Sequence, residues 1–143
     1  MKFRPLIVAG LIALSASTLA LAGNYANVWD NYQPQARYWE NQGFSQVTEP
    51  ADGTLGSEET STWYITLRAG YQYKFFGVCD GNCNDLDLEL RDENGNTVDY
   101  DRNANDMPYV SVTPRYTQRY SFVVKMYDCW TYACSYMVGI HGR

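Results

Sequence analysis

Two acidic segments contain the residue types that bind hard cations. The first covers residues 80–87 and combines aspartates with Asn82 and Asn84, and the second covers residues 99–106. Carboxylate and amide oxygens are the ligands that Ca²⁺ prefers, and neighbouring carboxylates repel one another unless a proton or a cation bridges them. The segments therefore predict a calcium site, while the alternative is that Asn and Asp simply cap turns. The candidate ligands are Asp80, Asp85, Asp87, Asp99, Asp101 and Asp106.

The second acidic segment is not an EF-hand, although it begins like one. Its first five positions read Asp, Tyr, Asp, Arg, Asn. The sixth position is Ala104, where an EF-hand needs glycine, and the twelfth is Val110, where it needs a bidentate glutamate. What remains is the weaker prediction that the two acidic segments converge on one ion.

The cysteines indicate disulfides rather than a metal or redox centre. Zinc needs more sulfur or imidazole ligands, and the only histidine is His141. The C-x3-C spacing and the lack of a following helix argue against a thioredoxin-like role. Local pairing of the cysteines is favoured, and pairings that link the two loops stay open. The predicted disulfide residues are Cys79, Cys83, Cys129 and Cys134.

Two aromatic residues lie between the last two cysteines. Trp130 and Tyr132 are in a short loop where burial is difficult. Exposed flat rings stack on sugar faces, so both are candidate ligand-binding residues for a polysaccharide or cell wall. The alternative is that the rings shield the disulfide and pack over the end of the domain.

The sequence does not indicate catalysis. The serine-hydrolase motif G-x-S-x-G is absent, and any histidine dyad would have to use His141, which is expected at the surface near the end of the last strand. Paired carboxylates stay open by residue type alone. Acids on turns and on one exposed face of a small domain leave little room for a substrate cleft, so we predict a protein that is not an enzyme.

The first 22 residues have the pattern of a cleaved signal peptide. Lys2 and Arg4 precede an apolar run, and the segment ends in Ala20-Leu-Ala22. The apolar run is shorter than the about 20 residues that a membrane span needs. We therefore predict a signal peptide over residues 1–22 and a secreted or periplasmic mature chain.

The mature chain is acidic, with a predicted net charge of −7 because nine basic residues face 16 acidic ones. This charge argues against nucleic acid and anionic membrane as partners. It is compatible with cations, neutral sugars or basic proteins. A polysaccharide or a secreted or periplasmic protein is therefore the expected kind of partner.

A helix is predicted in residues 23–45, ahead of the domain at residues 46–143. Its apolar and aromatic positions recur at helical spacing. Pro34 is expected to break or kink the helix or to start a second one, and Gly43 to end it. The stripe either docks on the domain or binds a partner protein. The stripe consists of Tyr25, Val28, Trp29, Tyr32, Ala36 and Trp39.

The rest of the chain reads as short strands separated by Gly, Asn, Asp and Pro. Leu86, Leu88 and Leu90 share one face of their strand, and acidic residues share the other. An all-β, antiparallel sandwich of seven or eight strands follows. The predicted strands cover residues 62–67, 71–78, 86–91, 97–100, 109–113, 119–127 and 135–141, with another near 54–56.

The order of these motifs resembles the bacterial pre-peptidase C-terminal domain. The motifs that carry the likeness are Asp85-Leu-Asp-Leu-Glu-Leu90, Asp92-Glu-Asn-Gly95, Tyr120-Ser-Phe-Val-Val-Lys-Met and a last strand with Tyr136. The resemblance covers residues 46–142. It implies a small β-sandwich of jelly-roll type that is non-catalytic, accompanies secreted hydrolases, and takes part in secretion, surface or polymer binding and, in some members, calcium binding.

Overall fold

The computed structural model describes the backbone of residues 17–143 and the side chains of residues 27–143. The predicted signal peptide lies largely outside the described residues and stays a prediction. Within the described residues, no helix has both the length and the apolar character that crossing a bilayer requires. The elements are α1 (Ser17–Asn41), β1 (Ser45–Gln46), β2 (Ala51–Leu55), β3 (Thr60–Leu67), β4 (Tyr73–Cys79), β5 (Cys83–Arg91), β6 (Thr97–Asp101), β7 (Tyr109–Val112), β8 (Gln118–Cys129) and β9 (Cys134–Gly142).

The strands form two antiparallel sheets, which we call sheet A and sheet B. Sheet A has the order β1-β9-β4-β7, and β2 pairs with β9 beside β1. Sheet B has the order β3-β8-β5-β6. The predicted all-β sandwich is therefore confirmed, and each predicted strand corresponds to one of β2 to β9. The two-residue strand β1 was not predicted.

The core lies between the sheets because alternate side chains of each strand point inward. Leu86, Leu88 and Leu90 are fully buried, as the alternation along β5 predicts. The rings of Phe75 in sheet A and Phe122 in sheet B pack with their centroids 5.3 Å apart. Apolar burial across this interface is the main force that holds the two sheets together.

The helix packs on the outer face of sheet A. Val28, Tyr32 and Ala36 are buried against an apolar row on β4 and β9, and Trp39 is partly buried against the same row. The chain's own sheet therefore covers these four members of the predicted stripe, whereas Trp29 is 39% exposed. The buried cluster consists of Val28, Tyr32, Ala36, Phe76, Val78 and Met137.

The predicted break at Pro34, or the start of a second helix there, is wrong, because α1 runs continuously from Ser17 to Asn41, whereas a kink at Pro34 stays a prediction. Pro34 is exposed, so the hydrogen bond that it cannot make lies on the solvent side of the helix. Burial of Tyr32 and Ala36 against sheet A holds the turns on either side.

The predicted stop at Gly43 is confirmed. Gly43 has a φ of +85° and donates its N–H to the carbonyl of Glu40 at 2.9 Å. Phe44 donates its N–H to the carbonyl of Trp39 at 3.1 Å, and the two rings pack edge to face. These two bonds and the ring contact form a Schellman motif, in which glycine adopts the left-handed conformation without steric cost.

His141 is fully buried, so its predicted surface position is wrong. Strand β9 continues to Gly142 beneath the helix, and the imidazole lies 5.2 Å from the ring of Phe76. Neither ring nitrogen has a hydrogen-bond partner among the described residues. Burial lowers the pKa of His141 below its ordinary value, because a charged imidazole is poorly solvated there.

Candidate functional site at the disulfide end

Three loops meet at one end of the sandwich, which we call the disulfide end. They cover residues 56–59, 80–82 and 130–133. Cys129 donates its N–H to Oγ of Ser57 at 2.9 Å, and Trp130 donates its N–H to the carbonyl of Asn82 at 2.9 Å. These bonds tie the last loop to the other two, so the three loops form one surface.

Two disulfides close this end, and both are local. Cys79 pairs with Cys83, and Cys129 pairs with Cys134, each with a Cα separation of 5.9 Å. Cys83 lies opposite Cys129 in the ladder between β5 and β8, so the two bridges are neighbours. Paired cysteines are consistent with an oxidising extracellular or periplasmic compartment.

The loop between Cys129 and Cys134 presents both candidate aromatic residues to solvent. Trp130 is 72% exposed and Tyr132 is fully exposed. The loop backbone is held by the disulfide and by the hydroxyl of Thr131, which donates to the carbonyl of Ala133 at 3.0 Å. Two large rings are thus held in water by a covalently closed loop, rather than packed over the disulfide.

Asp80 is buried in the same end, where it braces the backbone. It is 1% exposed, and its carboxylate accepts the N–H of Asn82 at 3.0 Å and the N–H of Ser135 at 2.7 Å. Its own N–H donates to the carbonyl of Ser135 at 3.0 Å. Charge-assisted bonds of this kind are the strong ones, so Asp80 joins the β4–β5 loop to β9.

Asp99 and Asp101 occupy β6 and cap the edge of the opposite sheet. The N–H of Ser111 donates to Asp99 at 2.8 Å, and the N–H of Tyr109 donates to Asp101 at 3.1 Å. Both donors are on β7, the edge strand of sheet A. The two carboxylates therefore link β6 to β7, while Asp106 is exposed in the loop between them.

Asp85 and Asp87 face outward from β5 into a groove of about 670 Å³ on sheet B. Burial and then the charge of Asp85 raise the pKa of Asp87 from its ordinary 3.8 to about 6. Burial also raises the pKa of Asp85. One oxygen of each carboxyl has no hydrogen-bond partner in the described part of the chain. Both groups therefore hold their protons to a higher pH than ordinary aspartates do, and ionising Asp87 at neutral pH opposes folding.

The six predicted calcium ligands do not converge. Asp80 braces the disulfide end, Asp99 and Asp101 cap β7, and Asp85 and Asp87 lie on the outer face of sheet B. Among residues 27–143, no group of three or more acidic, histidine or cysteine side chains is arranged to hold a metal ion. The calcium site thus stays a prediction to which the geometry lends no support.

Replacing Asp87 by asparagine should raise the melting temperature at pH 7 by a few degrees and change it little at pH 4. Because the pKa of Asp87 is higher in the folded protein, the stabilisation from its proton is present at low pH and is lost as the pH rises through about 6. Scanning calorimetry of the variant and the wild type from pH 4 to pH 7 measures the difference.

Glu89→Gln on the same face is the matched control, and it should have the opposite sign. Hydrogen bonds from Arg91 and Thr97 lower the pKa of Glu89 to about 2, so its charged form stabilises the fold at pH 7. A lower melting temperature for Asp87→Asn than for the wild type at pH 7 would contradict the interpretation of the carboxyl pair.

The fold is a small antiparallel β-sandwich that two disulfides brace at one end, and this sandwich is similar to that of the pre-peptidase C-terminal domain. The solved structure of the pre-peptidase C-terminal domain of a collagenase from Bacillus anthracis is similar over 66% of this chain and 89% of its own length. Its TM-score is 0.51 and its identity is 13%. PliG of Aeromonas hydrophila, a periplasmic lysozyme inhibitor of g-type lysozyme, is similar over 71% of this chain and 90% of its own, with a TM-score of 0.50 and 8% identity.

At these identities the likeness shows the fold alone. No protein-family model matches the sequence, and no curated protein matches it. The fold that the resemblance implied is confirmed, and what the chain binds has to be argued from its own surface.

Proposed function

We propose that the protein is an exported, non-catalytic binding module that holds a partner protein through Trp130 and Tyr132. The observation that carries the proposal is the exposure of both rings on a loop that the Cys129–Cys134 disulfide closes. Tryptophan and tyrosine dominate the energetics of protein interfaces. A loop that is rigid before binding loses little conformational entropy when the partner arrives.

The charges around these rings support a basic protein partner. Glu58 and Glu59 are exposed in the β2–β3 loop, and Asp128 is next to the disulfide. Lys125 pairs with Glu58 at 2.8 Å, so Glu59 and Asp128 are the acids of this rim that keep a net negative charge. An acidic rim around two aromatic residues favours the concave, basic surface of a protein, because opposite potentials steer the encounter.

The comparisons and the sequence support the remaining parts of the proposal. One protein with this fold is described as a periplasmic inhibitor of g-type lysozyme, so the fold is compatible with binding an enzyme. The predicted signal peptide and the two disulfides support export. The burial of His141, the chain's one histidine, supports the absence of histidine-based catalysis.

The double substitution of Trp130 and Tyr132 by alanine should abolish partner binding. A g-type lysozyme is the protein probe, and chitin or peptidoglycan suspensions are the carbohydrate probes. We expect the wild type to bind or inhibit the lysozyme, and the variant to bind at least about 30-fold more weakly, since two interface anchors are lost. Titration calorimetry and inhibition of cell-wall lysis measure these quantities.

Tyr116→Ala is the matched control, because Tyr116 is 72% exposed, like Trp130, but lies outside the disulfide end. It should bind as the wild type does. If the wild type is retained on polysaccharide but does not bind the lysozyme, and the double variant is not retained, the carbohydrate function that the sequence suggests is favoured instead. If the double variant binds every probe that the wild type binds, and with the same affinity, the loop between Cys129 and Cys134 is not the binding site.

A further inference from the structure

Strand β3 forms a long edge of sheet B with no protecting feature along it. It pairs with β8 on one side, and within residues 17–143 no strand pairs with its other side. Its eight residues, Thr-Ser-Thr-Trp-Tyr-Ile-Thr-Leu, include no charge and no proline. An exposed edge of this kind is a template for another strand.

The other sheet edges are protected in ways that β3 is not. The outward N–H groups of β7 are capped by Asp99 and Asp101. Strand β6 carries the same two aspartates, is only five residues long, and follows a register shift between Leu90 and Arg91. The edge formed by β1 and β2 is divided by residues 47–50, which include Pro50. This contrast marks β3 as the edge that is open for pairing.

The backbone of β3 has donors and acceptors directed to that open side. Met126 donates its N–H to the carbonyl of Glu59 at 3.0 Å, so Glu59 is a residue whose backbone bonds towards β8. In an antiparallel ladder the bonding residues alternate, so every second residue of β3 directs its N–H and C=O away from β8. These residues are Thr60, Thr62, Tyr64 and Thr66.

We propose that β3 pairs with β3 of a second copy of this chain, in antiparallel orientation about a two-fold axis at Tyr64. This register places Thr62 opposite Thr66 and joins the two copies of sheet B into one continuous sheet. All the outward N–H and C=O groups then find partners, and threonine pairs and a tyrosine pair line the solvent face.

The charges at the two ends of β3 favour a second copy as the occupant. Arg68 is exposed just beyond the C-terminal end of the strand, and Glu58 and Glu59 are exposed just before its N-terminal end. Antiparallel pairing sets Arg68 of each copy opposite Thr60 of the other, beside that copy's Glu59. The paired strands themselves carry no charge, and a complementary charge pair lies at each end of the interface, which favours the antiparallel self-pairing.

An apolar groove along the same edge gives the second copy further surface to cover. The groove has a volume of about 480 Å³ and borders the C-terminal half of β3. Ile65 is half-buried there, and Tyr71 is 46% exposed. Partly exposed apolar side chains beside an open edge gain burial when another chain pairs there.

The test is the molar mass of the protein purified from the periplasm of an expression host. Light scattering after size exclusion, over a range of concentrations, should give twice the monomer mass. Thr62→Pro removes an outward N–H without touching the ladder with β8, and Tyr64→Lys sets like charges opposite each other at the axis. Both variants should be monomeric.

Tyr100→Lys is the matched control for Tyr64→Lys. Tyr100 is on β6, the other edge of sheet B, it is 57% exposed, and Arg102 covers its ring as Arg119 covers that of Tyr64. It should remain dimeric.

Arg68→Glu should raise the dissociation constant of the dimer about tenfold or more. Because Arg68 is exposed and lies outside β3, this test does not require the strand to tolerate a substitution. A wild type of monomer mass at every concentration would overturn the proposal. So would a folded Tyr64→Lys variant that remains dimeric, or an Arg68→Glu variant whose dissociation constant equals that of the wild type.

Discussion

Replacing Gly139 by alanine should lower the free energy of unfolding by about 3 kcal/mol. A Cβ at this position of β9 meets Cζ of Phe76, and it lies 2.7 Å from Cε1 of Phe76 and 2.8 Å from Cε2 of Tyr32. Both rings are buried between α1 and sheet A, and they stack on each other at 5.4 Å. Because both rings are buried, the added Cβ fits only if the rings or the helix shift from their packed positions.

Gly81→Ala is the control for this prediction. A Cβ there meets Oδ1 of Asn27 at 3.7 Å, which is an ordinary contact, so we expect a change within about 0.5 kcal/mol. Urea unfolding followed by circular dichroism measures both variants. Hydrogen exchange in α1 should rise in Gly139→Ala alone. If the two variants are equally stable, the close packing of the helix at Gly139 does not contribute as described.

The sheet could be predicted from the sequence because its signal is local and repetitive. Leu86, Leu88 and Leu90 alternate with acids over a single strand, and this alternation alone fixes which face is buried. The helical stripe is equally explicit, and Gly43 marks its end with a residue that the Schellman motif requires. In each case the physical cause lies within a few residues of its effect.

The role of the aspartates could not be predicted, because it depends on partners that are distant in sequence. Asp99 accepts an N–H from Ser111, 12 positions away, and Asp80 accepts one from Ser135, 55 positions away. A carboxylate that caps a distant backbone group and one that binds a cation have the same sequence signature. Only the placement of the strands separates the two roles.

Pro34 and His141 show tertiary packing overriding a local rule. A proline inside a helix weakens it, yet the buried neighbours of Pro34 hold α1 on the sheet. A histidine late in the last strand reads as exposed until α1 is known to cover that strand. Both outcomes depend on where the helix docks, which no local pattern encodes.

The sequence could not decide between local disulfides and disulfides that link the two loops. Cys83 and Cys129 face each other across β5 and β8, so cysteines of different loops are neighbours in space. Pairings between the loops are therefore close in geometry to the local ones, and spacing along the chain could favour the local pairing but not decide it.

Replacing Asp80 by alanine should lower the free energy of unfolding by about 3 kcal/mol, equally in calcium and in a chelator. The substitution leaves the N–H of Ser135 without its 2.7 Å bond inside the disulfide end, where water does not reach it. Losing the charged partner of a buried donor costs about 1–3 kcal/mol, and the bond from Asn82 is lost as well. Urea unfolding in millimolar Ca²⁺ and in EDTA measures the effect.

Asp106→Ala separates this structural role from the calcium prediction, because Asp106 is a predicted ligand that is exposed and braces no buried backbone group. If the backbone bonds of Asp80 are what matter, Asp106→Ala changes stability by less than about 0.5 kcal/mol in either condition. If the two residues share an ion, both variants lose stability in calcium, and the loss caused by Asp106→Ala disappears in EDTA. The two accounts therefore differ in how each variant responds to the chelator, and unfolding both variants in both conditions decides between them.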